Sequence, residues 1–351
     1  MEAEEQNMDT GKKVNIGVVG LGYWGPNLVR NFIDVENCRV VMVCDANEAR
    51  LKPVKKRYPN IELTTKYEDM AASNDVDAIA IATPVISHYP LAKQALENGK
   101  HVLIEKPICS NSTEAEDLIK TAKKYQKILM VDHTFLYTGG VRKIKELIDK
   151  GEIGQLFYLD SVRINLGLFR PDVNVIWDLA SHDISIIHYL FDEPPVSVSA
   201  MGRDFNNNNI TCLAYITLKY KSGMIAHIHT SWLSPVKIRR IILGGSKKMV
   251  IYDDVEPTEK IKIYDSGIEF RQENETSLQP TYRLGDINLP KLDQREALAL
   301  EANHFIDCIL NGKKPLTDGA MGLAVLKILE AADISTREGG REIALNISRQ
   351  Q

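Results

Sequence analysis

Apolar residues along this chain follow two rhythms, and the change between them falls near residue 134. Before it, short apolar runs at 14–19, 39–44, 78–82 and 102–104 alternate with stretches of helical period, such as Leu28, Val29, Phe32 and Ile33. Continuous apolar runs predict strands buried on both faces. The periodic stretches predict helices covering them, so the first part is a parallel sheet built from strand–helix–strand units. After 134 a helix over 141–150 precedes strands over 155–165, 196–202, 210–220, 223–232, 237–244 and 247–252. Several of these alternate apolar and polar residues, as a sheet with one covered face does, and no helix intervenes after 195. That sheet is therefore expected to be mostly antiparallel. Helical patterns at about 293–311 and 318–337 close the chain, with nothing in them to say which domain they pack on.

The segment 175–190 is helical in period and stops before Pro194-Pro195. At ~100° per residue, Leu179, Ala180, Ile184, Ile186, Ile187 and Leu190 fill one half of the wheel. Asp178, Ser181, His182, Ser185, His188 and Tyr189 fill the other. Asp183 breaks the apolar half. A buried carboxylate needs partners, so backbone N–H groups or an arginine are expected to bond it and set how the helix docks.

Composition narrows the class. With 351 residues there is room for two domains, at ~100–200 residues each. The division expected is a loose tail over 1–13, a first domain over 14–133 and a second over 134–351. Lys and Arg number 43 against 47 Asp and Glu, a formal charge of −4. That near balance argues against nucleic acid or an anionic membrane as an obligatory partner, because either leaves a basic stripe. No run approaches the ~18 apolar residues of a membrane helix, and the N-terminus lacks the apolar region of a secretion signal. Cysteines at 38, 44, 109, 212 and 308 have no C-x-x-C spacing, which fits reduced thiols in a cytoplasmic protein. Asn206–Asn209 is a turn or loop signal.

The candidate chemistry begins at Gly20-x-Gly22-x-x-Gly25, between the 14–19 strand and the following helix. Strand, glycine turn and helix in that order form a dinucleotide site. Gly20 makes the tight turn, Gly22 lets the backbone approach a pyrophosphate, and Gly25 permits close helix–strand packing. The helix start then offers N–H groups to the phosphates. Asp45 ends the second strand, twenty residues past Gly25, where an acid holds the adenosine ribose 2′-hydroxyl. This carboxylate favours NAD, although Arg50 nearby leaves NADP open. Thr83-Pro84 follows the 78–82 strand, and His88 either packs in that loop or lines the nicotinamide pocket.

Lys106 sits in Val102-Leu103-Ile104-Glu105-Lys106-Pro107, at the carboxyl end of a buried strand. Open α/β sheets bind ligands there, and partial desolvation suits a lysine to proton transfer with a hydroxyl. Asp178 and His182 are an i, i+4 pair whose side chains can meet, with His182 able to take a substrate proton. His227 and His229 share one strand face. Spacing shows no third ligand, so sheet or interface packing is expected and not a metal site.

Taken together, Gly20-Leu21-Gly22-Tyr23-Trp24-Gly25, Thr83-Pro84-x-x-x-His88, Gly99–Pro107, Trp177-Asp178-x-x-x-His182-Asp183 and Asn311–Gly319 resemble the glucose–fructose oxidoreductase/inositol dehydrogenase family, Gfo/Idh/MocA. The resemblance spans nearly the whole chain. It implies an α/β architecture: a Rossmann domain binding NAD, then a C-terminal α+β domain whose uncovered sheet face makes a homodimer or homotetramer. It also implies hydride transfer between nicotinamide and a sugar or cyclitol carbinol in the cleft between the domains. Lys106 matches the family's catalytic lysine, and Asp178 with His182 its second catalytic pair. Which of Lys106 and His182 is the base stays open. Tyr23, Trp24, Thr83, Pro84, His88 and Glu105 fall at cofactor positions, and the Lys106–Pro107 bond is a candidate for the cis form. The stretch 160–168 resembles a branch acting on nucleotide sugars at C3, by oxidation or 3-keto reduction. In it Arg163 and Asn165 are substrate-binding candidates, Arg163 either gripping a diphosphate or carboxylate or pairing with a neighbouring acid. The rivals are an inositol or free-sugar dehydrogenase and a dinucleotide-bound sensor without turnover.

Overall fold

The computed structural model describes residues 11, 13–167, 173–205, 210–274 and 277–347. The expected tail, apart from 11 and 13, and the Asn206–Asn209 turn lie outside them, as does the end of the 160–168 stretch. The chain forms two compact units. One holds the chain up to Thr134 together with Glu296–Leu323, and the other holds Phe135–Arg295 and the chain from Ala324 on.

The first unit carries β1 (Val14–Val19), α1 (Gly25–Ile33), β2 (Cys38–Cys44), α2 (Glu48–Arg57), β3 (Glu62–Thr64), α3 (Tyr67–Ala72) and β4 (Ala78–Ile81). It continues with α4 (His88–Glu97), β5 (His101–Glu105), α5 (Ser112–Lys124) and β6 (Leu129–Asp132). The six strands are parallel in the order β3-β2-β1-β4-β5-β6. Ile16, Val18, Ile79, Ile81, Val102 and Ile104 are fully buried, as expected of strands covered on both faces. The chain winds outward from β1 to β3 and then returns to the other side of β1 at β4. That reversal is the switch point beside which doubly wound sheets bind ligands.

In the second unit, α6 (Gly139–Asp149) and β7 (Leu156–Leu166) precede one turn of π-helix at Ile176–Ala180, which runs straight into α7 (Ser181–Leu190). Strands β8 (Pro195–Arg203), β9 (Leu213–Tyr220), β10 (Ile225–Ser231), β11 (Leu233–Gly245) and β12 (Met249–Asp253) match the expected ones closely. The short or outlying β13 (Ile261–Tyr264), β14 (Gly267–Asn274), β15 (Ser277–Arg283), β16 (Ile287–Asn288) and β17 (Ile343–Ala344) carried no readable pattern. Nine strands form one sheet, β16-β13-β12-β11-β7-β10-β9-β8-β17, antiparallel except where β7 meets β10; β14 and β15 pair separately. The α/β class with a mostly antiparallel second sheet is thus observed.

Two helices precede β17: α8 (Ala297–Asn311) and α9 (Gly319–Arg337). Position in the chain places the segment 296–323 in the second domain, whereas in the structure it clusters with the first unit. The reason is packing. Phe305 of α8 meets Phe32 of α1 edge-on at 6.3 Å, and the Glu296 carboxylate accepts from Arg30 Nη2 at 2.6 Å and Nη1 at 2.9 Å. Among the described residues no helix is long and apolar enough to cross a membrane, and none of the five cysteines is in a disulfide.

Candidate active site

The turn after β1 shows why glycine occupies two of its positions. Gly20 has φ +91°, and a Cβ there would lie 2.6 Å from the Ala82 carbonyl oxygen. A Cβ on Gly25 would lie 1.8 Å from the Gly20 carbonyl oxygen, so α1 could not begin this close to β1 with any side chain there. Gly22 differs: a Cβ would meet nothing within 4 Å. The backbone is open there, which leaves room for a pyrophosphate to approach. Asp45 is 6% exposed and holds the turn from the end of β2. Its carboxylate accepts the Leu21 N–H at 2.7 Å and the Asn47 N–H at 2.8 Å, while Asn47 caps α2. Arg50 approaches Asp45 at 3.6 Å. Tyr23 and Trp24 are exposed beside the turn, ring against edge at 5.2 Å. An open backbone, a helix start and a carboxylate at the end of β2 fit a dinucleotide.

Lys106 follows β5, is half-buried, and is joined to Pro107 by a cis bond. Of the two uses expected of His88, the structure shows the packing in its loop. His88 is 1% exposed, its Nδ1 2.9 Å from the Pro107 carbonyl oxygen and its Nε2 2.8 Å from that of Thr83. Both ring nitrogens lie within hydrogen-bond distance of a carbonyl oxygen, so His88 packs between the Thr83 and Pro107 loops. Burial pushes the imidazole toward its neutral form, against the two carbonyls, which favour the charged one. Glu105 is buried at the end of β5. It lies opposite Asp132 in the β5–β6 register, and Glu301 of α8, fully buried, adjoins the same pair. Thr134 donates its hydroxyl to Asp132. Burial, reinforced by the Asp132 charge, raises both Glu105 and Glu301 well above the usual carboxylate range. Thr83 is half-buried, its hydroxyl accepting from Ser87 at 2.8 Å, and Pro84 is exposed.

In the second unit, the π-turn changes the geometry assumed for the acid–base pair. A π-turn closes hydrogen bonds five residues apart, so the i, i+4 register of an α-helix does not run unbroken from Asp178 to His182. The half of the wheel taken as polar is also not a solvent face: Ser181 and Ser185 are fully buried. Asp178 is half-buried and accepts the Trp232 indole N–H at 3.1 Å. His182, also half-buried, lies edge-on to Phe135 at 4.8 Å. Phe135 in turn carries the Arg163 guanidinium at 4.3 Å and that of Arg239 at 5.4 Å.

The partner required by Asp183 is Arg163, which bonds it through Nε at 2.7 Å and Nη2 at 3.1 Å, joined by the Ser161 hydroxyl at 2.7 Å. This corrects Arg163 as a substrate ligand. At 4% exposure its fork is spent on a carboxylate, so it is not presented to a diphosphate. Asn165 alternates onto the same face of β7 and is half-buried. His227 and His229 stack on Tyr215 at 6.0 and 4.5 Å, and no group of three or more potential ligands among the described residues is placed to hold a metal.

Comparison with known families accounts for this pairing of units. A model of the oxidoreductase family with the NAD-binding Rossmann fold matches residues 14–133, and a model of the GFO/IDH/MocA C-terminal domain matches residues 141–251. The chain belongs to the Gfo/Idh/MocA oxidoreductase family. NAD is accordingly the cofactor of its first domain. Relatives in the Gfo/Idh/MocA family include scyllo-inositol 2-dehydrogenase (NAD(+)) of Bacillus subtilis, 26% identical over 96% of this chain and 98% of that one. UDP-N-acetylglucosamine 3-dehydrogenase of Acidithiobacillus ferrooxidans is 26% identical over 88% and 93%. In fold, the chain matches an aldose-aldose oxidoreductase from Caulobacter crescentus with a TM-score of 0.81 at 21% identity, covering 95% and 100%.

Sequence reasoning missed Asp132, Glu301, Trp232 and Asp333, the last of which accepts hydrogen bonds from Asn174 and Trp177. Glu301 carried a signal: it interrupts the apolar stripe Leu298, Ala302 and Phe305, as Asp183 interrupts its own. Asp132 ends a buried strand as Lys106 follows one. Trp232 and Asp333 had no local mark.

Proposed function

We propose that this NAD-dependent oxidoreductase interconverts a sugar carbinol and its ketone, acting on a nucleotide sugar at C3. The observation that carries the reaction class is the conjunction of an open glycine turn held by Asp45 with Lys106 at the next strand end but one. In the oxidative direction, Lys106 or His182 takes the hydroxyl proton, the C–O bond becomes a carbonyl, and the hydride leaves the same carbon. Bound NAD supplies the acceptor. Asp178, fixed by Trp232, orients the charged group. The substrate class leans on similarity to the UDP-N-acetylglucosamine enzyme, because Arg163 is committed to Asp183. Cyclitols are the competing class, from the equally similar scyllo-inositol enzyme.

The outer face of the second sheet supports a homodimer or homotetramer. Met201, Tyr215 and His229 lie in cross-strand register there, with Met201 67% exposed. Charge balance and the buried thiols suit a cytoplasmic protein.

The test is absorbance at 340 nm with NAD and UDP-N-acetylglucosamine, myo-inositol or glucose. A rise with the nucleotide sugar alone supports the reading, a rise with myo-inositol alone moves it to cyclitols, and no rise with bound NAD favours a sensor. Lys106→Met should cut turnover by about 100- to 10,000-fold with NAD affinity retained. Near-wild-type turnover would remove Lys106 from the mechanism.

A further inference from the structure

One turn of π-helix is a costly conformation that persists where something outside it holds it. Here it carries Asp178, and its supports can be traced bond by bond. Asn174 stands before the turn and accepts the N–H groups of Ile176 at 3.0 Å and Trp177 at 3.1 Å on its Oδ1. Its carbonyl accepts the Asp178 N–H at 3.0 Å. The Asn174 amide then donates from Nδ2 to Asp333 Oδ1 at 2.9 Å, while the Trp177 indole donates to Asp333 Oδ2 at 2.6 Å. Asp333 lies on α9, far along the chain. Both its oxygens thus bind the two residues that set where the turn begins.

We propose that Asp333 is a positioning residue for Asp178, acting through Asn174 and Trp177; this rests on the reading of Asp178 as part of the acid–base machinery. The chemistry explains why a carboxylate is required. An ionised carboxylate only accepts hydrogen bonds. It therefore fixes the Asn174 amide with Nδ2 toward α9, which aims Oδ1 at the backbone N–H groups of the turn. An amide at 333 would offer one acceptor and one donor to two donors. Either the indole bond is lost, or Asn174 flips and turns its own N–H groups on those of Ile176 and Trp177. Both outcomes loosen the backbone that carries Asp178. The Trp232 bond to its carboxylate remains, so the group stays nearby but is held less well.

The experiment compares Asp333→Asn, Trp177→Phe and Asp178→Asn in the full-length protein, using the substrate that responds at 340 nm. Asp333→Asn should lower kcat by about 10- to 100-fold, the scale of an ångström-sized misplacement, while KM and NAD affinity stay near wild type and the pH profile of kcat changes. A crystal structure of Asp333→Asn gives a readout independent of turnover, with the 176–180 backbone expected to shift. An unchanged turn, or unchanged kcat in Asp333→Asn while Asp178→Asn is inactive, overturns the positioning role alone. Full activity of Asp178→Asn overturns the acid–base reading and this proposal with it. A loss in Asp333→Asn matched by an equal loss of folded protein, with the pH profile unmoved, reduces Asp333 to a stabilising role.

Discussion

Replacing Asp183 by asparagine should lower the stability of the second unit by about 3–5 kcal/mol, the scale for removing one partner of a buried ion pair. Asparagine keeps the shape, so no cavity opens, and the cost is electrostatic. Asp183 is 1% exposed and accepts three hydrogen bonds, two of them from the Arg163 fork. Without its charge, the guanidinium stays buried with the face of Phe135 as compensation, and its Nη1 already lacks a hydrogen-bond partner. At roughly 2–4 °C per kcal/mol for a unit of this size, the melting temperature should fall by roughly 6–20 °C. Urea unfolding followed by tryptophan emission reads this unit well, since Trp177 and Trp232 both lie in it. The double change Arg163→Met with Asp183→Leu should recover most of the loss, because an apolar pair of similar volume replaces a desolvated one. Because Asp183 docks α7 next to His182, turnover should fall with stability, while NAD affinity holds. A loss under about 1 kcal/mol, the value of an exposed pair, would refute the argument that this ion pair is desolvated.

Two further outcomes test other parts of the molecule. Gly25→Ala sets a Cβ 1.8 Å from a backbone oxygen, which no rotamer relieves, so it should weaken NAD binding and lower the melting temperature. Gly22→Ala, facing open space, should weaken binding with the melting temperature unchanged, and equal stability losses in both would count against the assigned roles. Glu301 has its folded pKa raised by burial, so it contributes most to stability below its unfolded value of about 4.3. That contribution is lost as pH rises toward the folded value, because the unfolded chain releases the proton first. Glu301→Gln should therefore gain on the wild type in melting temperature between pH 5 and pH 8. A wild type gaining on the variant over that range would show that Glu301 is charged in the fold.

Much of this protein was legible from neighbours along the chain. The 14–19 strand, the glycine turn and α1 follow from residues close along the chain, as do the strand end at Lys106 and the alternation in β9 and β10, and Asp45 follows from its spacing twenty residues past Gly25. Local periods encode elements, and elements in that order admit few topologies. The need of Asp183 for a partner was equally visible, since one charge on an apolar face is a local fact. Which residue answers it was not, because Arg163 lies on a strand and meets the helix only when α7 covers the sheet.

The rest belongs to tertiary structure for the same reason. His88 was placed by its loop, but its two carbonyl partners converge from Thr83 and Pro107 only once β4 and β5 are paired. Glu105, Asp132 and Glu301 come from two strands and a helix 169 residues beyond Asp132, and meet because α8 packs onto the first unit. A helical wheel assumes a constant turn, so it could not show the π-turn under Asp178. That turn is held by Asp333, 155 residues further on. The sequence by itself determined most of the elements, the family and the candidate groups, through patterns that repeat over a few residues and motifs of fixed spacing. The tertiary structure decided which polar groups are spent holding one another, because that depends on which faces the packing brings together.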